Sequence, residues 1–334
     1  MDIGALKEWF LEERRDLPWR RAPTPYQVWI SEVMLQQTQV SVVIPYYERW
    51  MLQFPTVQRL AAASLEEVIK AWEGLGYYSR ARHLHETAKV LMERYGGELP
   101  RTSEELRQLK GFGHYTTGAI LSFAYRQRAA AVDGNVLRVL ARYFLIEEDI
   151  GLGTTQKRIR ALAESLLPEK DPHIIMEALI ELGAKVCKKK PLCSLCPVRE
   201  HCLALRAGRA EELPVKKNQV ETVFLKRDVA VVFHEDTLLL RKESAGKVMA
   251  DLYEFPYEKK FLFPMSLVLE MEPVRHSFTR FRVELFPRLW KASNKPHVED
   301  YQWIPWQEAI TLPFSSGHRR ILKRVYAYFT HRGF

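Results

Sequence analysis

The chain has 334 residues, with 50 basic against 41 acidic side chains, a net charge of +9 and an isoelectric point near 9.3. That length favours two domains, and the charge suits a polyanionic partner. No apolar run reaches the roughly 18 residues of a membrane helix. The start, Met1-Asp2-Ile3-Gly4-Ala5-Leu6, lacks the basic and apolar stretches of a secretory signal, so a cytoplasmic chain is expected, nucleoid-associated if bacterial.

Leu6, Trp9 and Phe10 share one face of an amphipathic helix that breaks at Leu17-Pro18-Trp19. Tyr26 to Ile44 reads as a second helix, ended by Pro45. Within it Glu32 stands among Trp29, Ile30, Val33 and Met34, where partial desolvation would raise its pKa and suit a general acid near neutral pH. The alternative puts Glu32 on a polar face beside Gln36 and Gln39. Two or three helices follow between Pro55 and Gly97, one opened by Ser64 and Glu67 at capping-box spacing. The turn Glu73-Gly74-Leu75-Gly76-Tyr77-Tyr78-Ser79-Arg80 carries two aromatics that either wedge into stacked bases or pack on a neighbouring helix.

The most informative stretch is Leu109-Lys110-Gly111-Phe112-Gly113-His114-Tyr115, which leads within one helix length to Val132-Asp133-Gly134-Asn135. Thr102 and Glu105 have capping-box spacing for a helix ending near Lys110, and a second helix begins around Tyr115. A hairpin between two helices aims free N–H groups at an anion, which for a basic protein points to a DNA phosphate. Asp133 opens the next amphipathic helix, whose buried stripe is Val136, Val139, Leu140, Tyr143 and Phe144. Read separately, Gly-x-Gly is also an ordinary turn and Asp133 an ordinary helix cap.

Thr154 to Leu167 and Ile174 to Val186 read as helices, and the second runs into Cys187, Cys193, Cys196 and Cys202. All four cysteines lie within sixteen residues at C-x5-C-x2-C-x5-C spacing, which points to metal ligation. Zinc and an iron-sulfur cluster both accept four thiolates, so spacing does not choose between them. Residues 208–222 lack either regular period and read as a linker between a helical domain, 1–207, and a strand-rich one, 223–334. In the latter, Val223 to Phe233 and Thr237 to Leu240 form a hairpin, Phe281 to Leu289 and Tyr301 to Ile304 are further strands, and His318 to Phe329 is a closing helix.

Trp29 to Val40, Gly74 to Arg80, Leu109 to Ala119 and Asp133 to Arg142 together resemble, in family order, the adenine DNA glycosylases of the endonuclease III superfamily. The resemblance is specific over about residues 5–205 and weaker over 225–325, where the chain resembles a MutT-like, Nudix-fold domain. It implies an all-α helix-hairpin-helix domain followed by an α+β Nudix-like domain. It also implies a monomer that acts on double-stranded DNA and removes adenine mispaired with 8-oxoguanine or guanine. A base inside a duplex must be flipped out before its N-glycosidic bond is cut, and the cut needs protonation of the base and stabilisation of a cationic sugar.

By resemblance Glu32 protonates the base, Asp133 stabilises the sugar cation, Asn135 orients the reacting groups and Tyr115 shapes the site. Tyr115 stands where the strand-cleaving branch has a Schiff-base lysine, which implies a monofunctional enzyme. Gln37 and Tyr77 match positions that insert into the duplex, Arg20 and Glu177 positions near the base edge, and the Gly111, Phe112 and Gly113 backbone a phosphate grip.

Cys187, Cys193, Cys196 and Cys202 would hold a [4Fe-4S] cluster, although the usual first gap is six residues and here it is five. Phe278, Thr279 and Arg280 fall in the 8-oxoguanine recognition turn, usually His-x-Phe-Ser-His, so a hydroxyl is kept and an arginine replaces histidine. No Arg-Glu-x-x-Glu-Glu box occurs in 225–334, which argues against nucleoside-diphosphate hydrolysis. Two other functions stay open: a glycosylase for another mismatched base such as thymine or uracil, and a DNA-damage binding protein without turnover.

Overall fold

The computed structural model describes residues 1–21, 23–217, 221–244, 246–257 and 263–330. These form two compact units, one of Met1–Ala61 with Glu86–Gln219, the other of Ala62–His85 with Val220–Phe334. The first unit is helical. Its elements are α1 (Ile3–Glu13), α2 (Pro25–Leu35), α3 (Val40–Gln53) and α4 (Val57–Ala62), the last crossing into the second unit. After α5 (Leu65–Ala71) of the second unit, α6 (Ser79–Tyr95) returns to the first. Then come α7 (Ser103–Leu106), α8 (His114–Ala119), α9 (Gly134–Tyr143), α10 (Gly153–Ser165), α11 (Pro172–Lys185) and α12 (Leu203–Arg206).

The expected helix from Tyr26 to Ile44 is two helices. α2 ends at Leu35, and Gln37, with φ 57, turns the chain before α3 starts at Val40. Pro45 lies inside α3 and does not end it. The apolar periodicity runs through the break, so the run of side chains conceals a backbone turn that only the left-handed residue makes. The helix before the hairpin is also shorter than expected. It stops at Leu106, and three-residue turns, with Leu109 N–H donating to Leu106 O (3.1 Å) and Phe112 N–H to Leu109 O (3.2 Å), carry the chain to Gly111. Thr102 accepts from Glu105 N–H as the spacing requires, and its hydroxyl donates to the Glu105 carboxylate at 2.7 Å.

The core of this unit gathers Val136, Val139, Leu140 and Tyr143 of α9 against Ile175, Leu179 and Leu182 of α11, with Leu6 and Phe10 of α1. Two close approaches need glycine. A Cβ on Gly118 would come 2.1 Å from Ala130 O, and one on Gly183 would come 2.5 Å from Asn135 Cβ. The second lets the start of α9 lie against α11, which fixes where Asp133 and Asn135 stand.

The C-terminal part of the second unit is a mixed sheet of β1 (Val223–His234), β2 (Thr237–Lys242), β3 (Tyr253–Glu254), β4 (Met265–Glu270), β5 (Val274–Phe278), β6 (Phe281–Ala292) and β7 (Gln302–Pro305), with α13 (Trp306–Thr311) and α14 (Ser316–Thr330). β1 and β2 make the expected hairpin, and β1 runs parallel to β6 through its whole length. The apolar run Val229 to Phe233 alternates between two cores. Val229, Val231 and Phe233 meet Ile321, Leu322 and Phe329 of α14, while Ala230 and Val232 face Leu239 and Ala292. β5 and β6 are antiparallel with Phe278 opposite Phe281, so Thr279 and Arg280 form a two-residue tip, with Thr279 at φ 46.

Among the described residues no helix is long and apolar enough to cross a membrane.

Candidate active site

α2 delivers Glu32. A capping box between Thr24 and Gln27 and a proline at its first turn start this helix. Its neighbours are buried on all sides, Tyr26, Val28, Trp29, Ile30, Ser31, Val33 and Met34 among them. Glu32 is only 7% exposed, and burial pushes its carboxyl pKa up to about 7. The Tyr115 hydroxyl donates to Glu32 Oε2 at 2.5 Å and opposes that rise, while the Asp133 charge adds to it. Tyr115 in turn is held well above the ordinary phenol value by burial and by the two carboxylates, so it stays a donor.

Asp133 is the N-cap of α9. Its Oδ1 accepts from the backbone N–H of Asn135 (2.9 Å) and Val136 (2.8 Å), and its Oδ2 from Asn135 Nδ2 (2.7 Å). Burial outweighs these three hydrogen bonds and lifts the Asp133 pKa above its ordinary value. A single residue therefore ends one loop, starts one helix and presents a buried carboxyl group.

Both carboxyl groups line one cavity of about 940 Å³ in the helical unit. Arg20, Gln37, Gly111, Gly113, Tyr115, Asn135 and Glu177 line it too, so nine of the sequence-derived positions share one space. Phe112 does not; its ring is buried against Trp29 at 5.8 Å, which leaves its backbone to serve the hairpin. Tyr77, Phe278, Thr279 and Arg280 belong to the second unit.

An ion-pair network that no local pattern reveals fixes Arg20. Its Nε meets Glu177 Oε2 at 2.9 Å and its Nη2 meets Glu181 Oε2 at 3.1 Å. Glu181 is fully buried and also binds Arg15 Nε at 2.6 Å. Burial alone would raise the Glu181 pKa, but its bonds with Arg15 and Arg20 outweigh that and lower it. For Glu177 burial dominates, and its pKa is raised against the pull of Arg20. Glu177 and Glu181 stand one turn apart on α11, so both reach Arg20 from one face of the helix.

The four cysteines line a second, smaller cavity of about 30 Å³ together with Val139, Arg142 and Tyr143. They surround it without converging on a point, and among the described residues no three His, Cys, Asp or Glu side chains are drawn together as around a single ion. Arg142, 2% exposed, donates to Leu213 O (2.8 Å), Lys188 O (2.5 Å) and Lys189 O (3.0 Å) and lies 3.4 Å from Cys187 Sγ. Burial pushes the Cys196 thiol up to about 11 and raises Cys193 and Cys202. Four sulfurs around a small apolar space fit a group ligated only by thiolates. Arg138 links this loop to the larger cavity: its Nε donates to Cys187 O (2.7 Å) and its Nη2 to Asn135 Oδ1 (2.8 Å).

Residues 30–169 match the HhH-GPD superfamily of base excision DNA repair proteins, and residues 228–324 match the NUDIX domain. Fold and family matches thus define a helix-hairpin-helix repair protein whose chain continues into a Nudix domain. The human adenine DNA glycosylase is 48% identical over 220 residues, covering 63% of this chain and 40% of its own. The adenine DNA glycosylase of Buchnera aphidicola subsp. Baizongia pistaciae is 36% identical over 245 residues, covering 73% and 69%. The chain belongs to the adenine DNA glycosylase family. It matches less than half the length of its mammalian relatives. Among solved structures, a thermostable thymine-DNA glycosylase is 28% identical with a TM-score of 0.56, covering 61% of this chain and 95% of that one. A trapped endonuclease III-DNA intermediate, 24% identical with a TM-score of 0.53, covers 63% and 94% and shares the fold.

Burial of Glu32 has a stability consequence. A carboxyl group whose folded pKa is about 7 against an ordinary 4.5 binds its proton more tightly when folded. Its contribution is therefore favourable at acid pH and is lost as pH rises between those values. Glu32→Gln, which cannot ionise, should match the unsubstituted chain at pH 4 and exceed its unfolding free energy by about 3 kcal/mol at pH 8. Denaturant titrations at the two pH values check this, and a constant difference across them would contradict the assignment.

Proposed function

We propose that this chain is a monofunctional DNA glycosylase that flips adenine out of an 8-oxoguanine·adenine or guanine·adenine mispair and hydrolyses its N-glycosidic bond. The observation that carries the reading is the shared cavity, lined by a buried acid from α2 and a capped carboxylate from α9. Glu32, half protonated near neutral pH, gives its proton to N7 of the leaving base. Tyr115 occupies one of its oxygens and leaves the other for the substrate. Asp133 stabilises the oxocarbenium ion that develops as the bond breaks, and water completes the hydrolysis. Asn135 and the start of α9 hold that carboxylate in place, while Arg20 and Glu177 read the edge of the base. Tyr115 has no amine, so no Schiff base forms and the strand is left intact.

Gln37 and Tyr77 each insert into the duplex around the lesion, and the Gly111 to Gly113 backbone grips phosphate. Phe278, Thr279 and Arg280 at the β5–β6 tip read the 8-oxoguanine. Residues 1–207 and 223–334 are the two functional modules, joined by 208–222. The charge of +9 supports a DNA partner.

Single-turnover release of adenine from an 8-oxoguanine·adenine duplex tests this, with guanine·adenine and thymine mismatches run beside it. Glu32→Gln should slow release by about 10²–10⁴-fold, and Asp133→Asn by about 10²–10³-fold, both without strand cleavage. Release of thymine in place of adenine would favour the activity named for the thymine-DNA glycosylase relative. Unchanged release by Asp133→Asn would remove the mechanism.

Cys187, Cys193, Cys196 and Cys202 would hold a [4Fe-4S] cluster, as the cavity and the family support. When bound, such a cluster would supply a redox-active cross-link within the loop that joins α11 to α12. Purified chain should carry roughly four irons, and Cys196→Ser should lose iron and lower the melting temperature. Stoichiometric zinc in a colourless protein would contradict this.

A further inference from the structure

The turn holding Tyr77 and the β5–β6 tip lie in the same compact unit, far apart in sequence. Tyr77 has φ 48 and follows Gly74 (φ 105) and Gly76 (φ 71). Trp72 Nε1 donates to Gly76 O (3.0 Å) and Arg80 Nη2 donates to Leu75 O and Gly76 O (3.1 Å each), which sets the shape of the turn. The Tyr77 ring is left 41% exposed.

What ties this turn to the rest of the unit is a bidentate ion pair. Arg319 Nε meets Glu73 Oε1 at 2.5 Å and its Nη2 meets Glu73 Oε2 at 2.9 Å, with side chains 15% and 13% exposed. Lys70 Nζ binds Glu73 Oε2 (2.8 Å) and Leu312 O (3.0 Å), and Arg319 Nη1 binds Ile310 O (2.9 Å). Tyr78 donates to Phe314 O at 3.4 Å. A mostly buried, doubly bonded charge pair is costly to break from one side, so it fastens the turn to the start of α14.

From Arg319 the path to the tip is short. A Cβ on Gly317, two residues earlier, would come 2.9 Å from His276 Cδ2 and from Leu285 Cδ1, so α14 rests directly on β5 and β6. Arg320 Nη2 donates to Arg275 O at 2.5 Å. The rings of His276 and Phe278 lie 5.5 Å apart, and those of Phe278 and Phe281 5.3 Å.

We propose that Glu73 and Arg319 are positioning residues that couple Tyr77 to the Phe278-Thr279-Arg280 tip through α14, so that the duplex wedge and the 8-oxoguanine reader engage together. This rests on the function proposed above. A wedge loosened from its reader would still enter any mispair, but its entry would no longer depend on the base the tip has bound. Discrimination is lost while the chemistry stays intact.

Adenine release by full-length chain is measured on 8-oxoguanine·adenine and guanine·adenine duplexes. Arg319→Leu should lower the preference for 8-oxoguanine by roughly tenfold and leave the guanine·adenine rate within about twofold. Its effect should also be non-additive with Tyr77→Ala, because Tyr77 without its anchor no longer responds to the tip. A fluorescent base analogue beside the lesion reports the stacking of Tyr77, and Arg319→Leu should weaken its response. If Arg319→Leu melts the unit, Glu73→Gln keeps the shape, removes the charge and carries the same comparison. Equal losses on the two duplexes, or additive effects of Tyr77 and Arg319, would overturn the coupling. Absence of adenine release by the unsubstituted chain would instead remove the parent function.

Discussion

The 2.5 Å hydrogen bond from Tyr115 to Glu32 joins residues 83 positions apart, and it is made where the surrounding helix excludes water. Desolvation would leave an isolated carboxylate far too costly, so the group holds its proton to about pH 7. The phenol offsets part of that cost and fixes which oxygen stays available. Buried residues of α2 surround this acid, and the left-handed Gln37 that follows the helix lies on the wall of the same cavity.

Asp133 sits in a different environment. Three donors and the start of α9 favour its anion, but burial prevails and its pKa is raised as well. Both carboxyl groups therefore stand above their ordinary values, and only that of Asp133 is held by a helix cap. Position is enforced by packing, since Gly183 brings α11 against Asn135. Arg138 then carries the same placement on to the cysteine loop, so the metal-type site and the carboxylate share one helix as their common part.

Much of this was readable from the chain. Asp133 announced itself as a cap before an amphipathic stripe, and Glu32 as a charge in an apolar run, because burial and capping leave local patterns. The cysteines declared themselves by spacing. What escaped reading was set by tertiary contacts. The Gln37 turn lay hidden in a continuous apolar period, since a side-chain pattern does not record φ. Glu181 pairs with Arg15 across 166 residues, and nothing near either residue signals that. β4 and β5 were missed because β4 is a largely exposed strand at the sheet edge and β5 buries only Val274 and His276 well. The grouping of Ala62–His85 with the C-terminal residues likewise depends on ion pairs such as Glu73 with Arg319, which spacing could not foretell.

The most direct test is a crystal structure of the chain on a duplex bearing a non-cleavable 2′-fluoro-adenosine opposite 8-oxoguanine. Adenine is expected in the larger cavity, with a Glu32 oxygen within hydrogen-bond distance of N7 and Asp133 on the far side of the sugar, facing C1′. Adenine lodged outside the cavity, or both carboxyl groups on one side of the nucleotide, would contradict it.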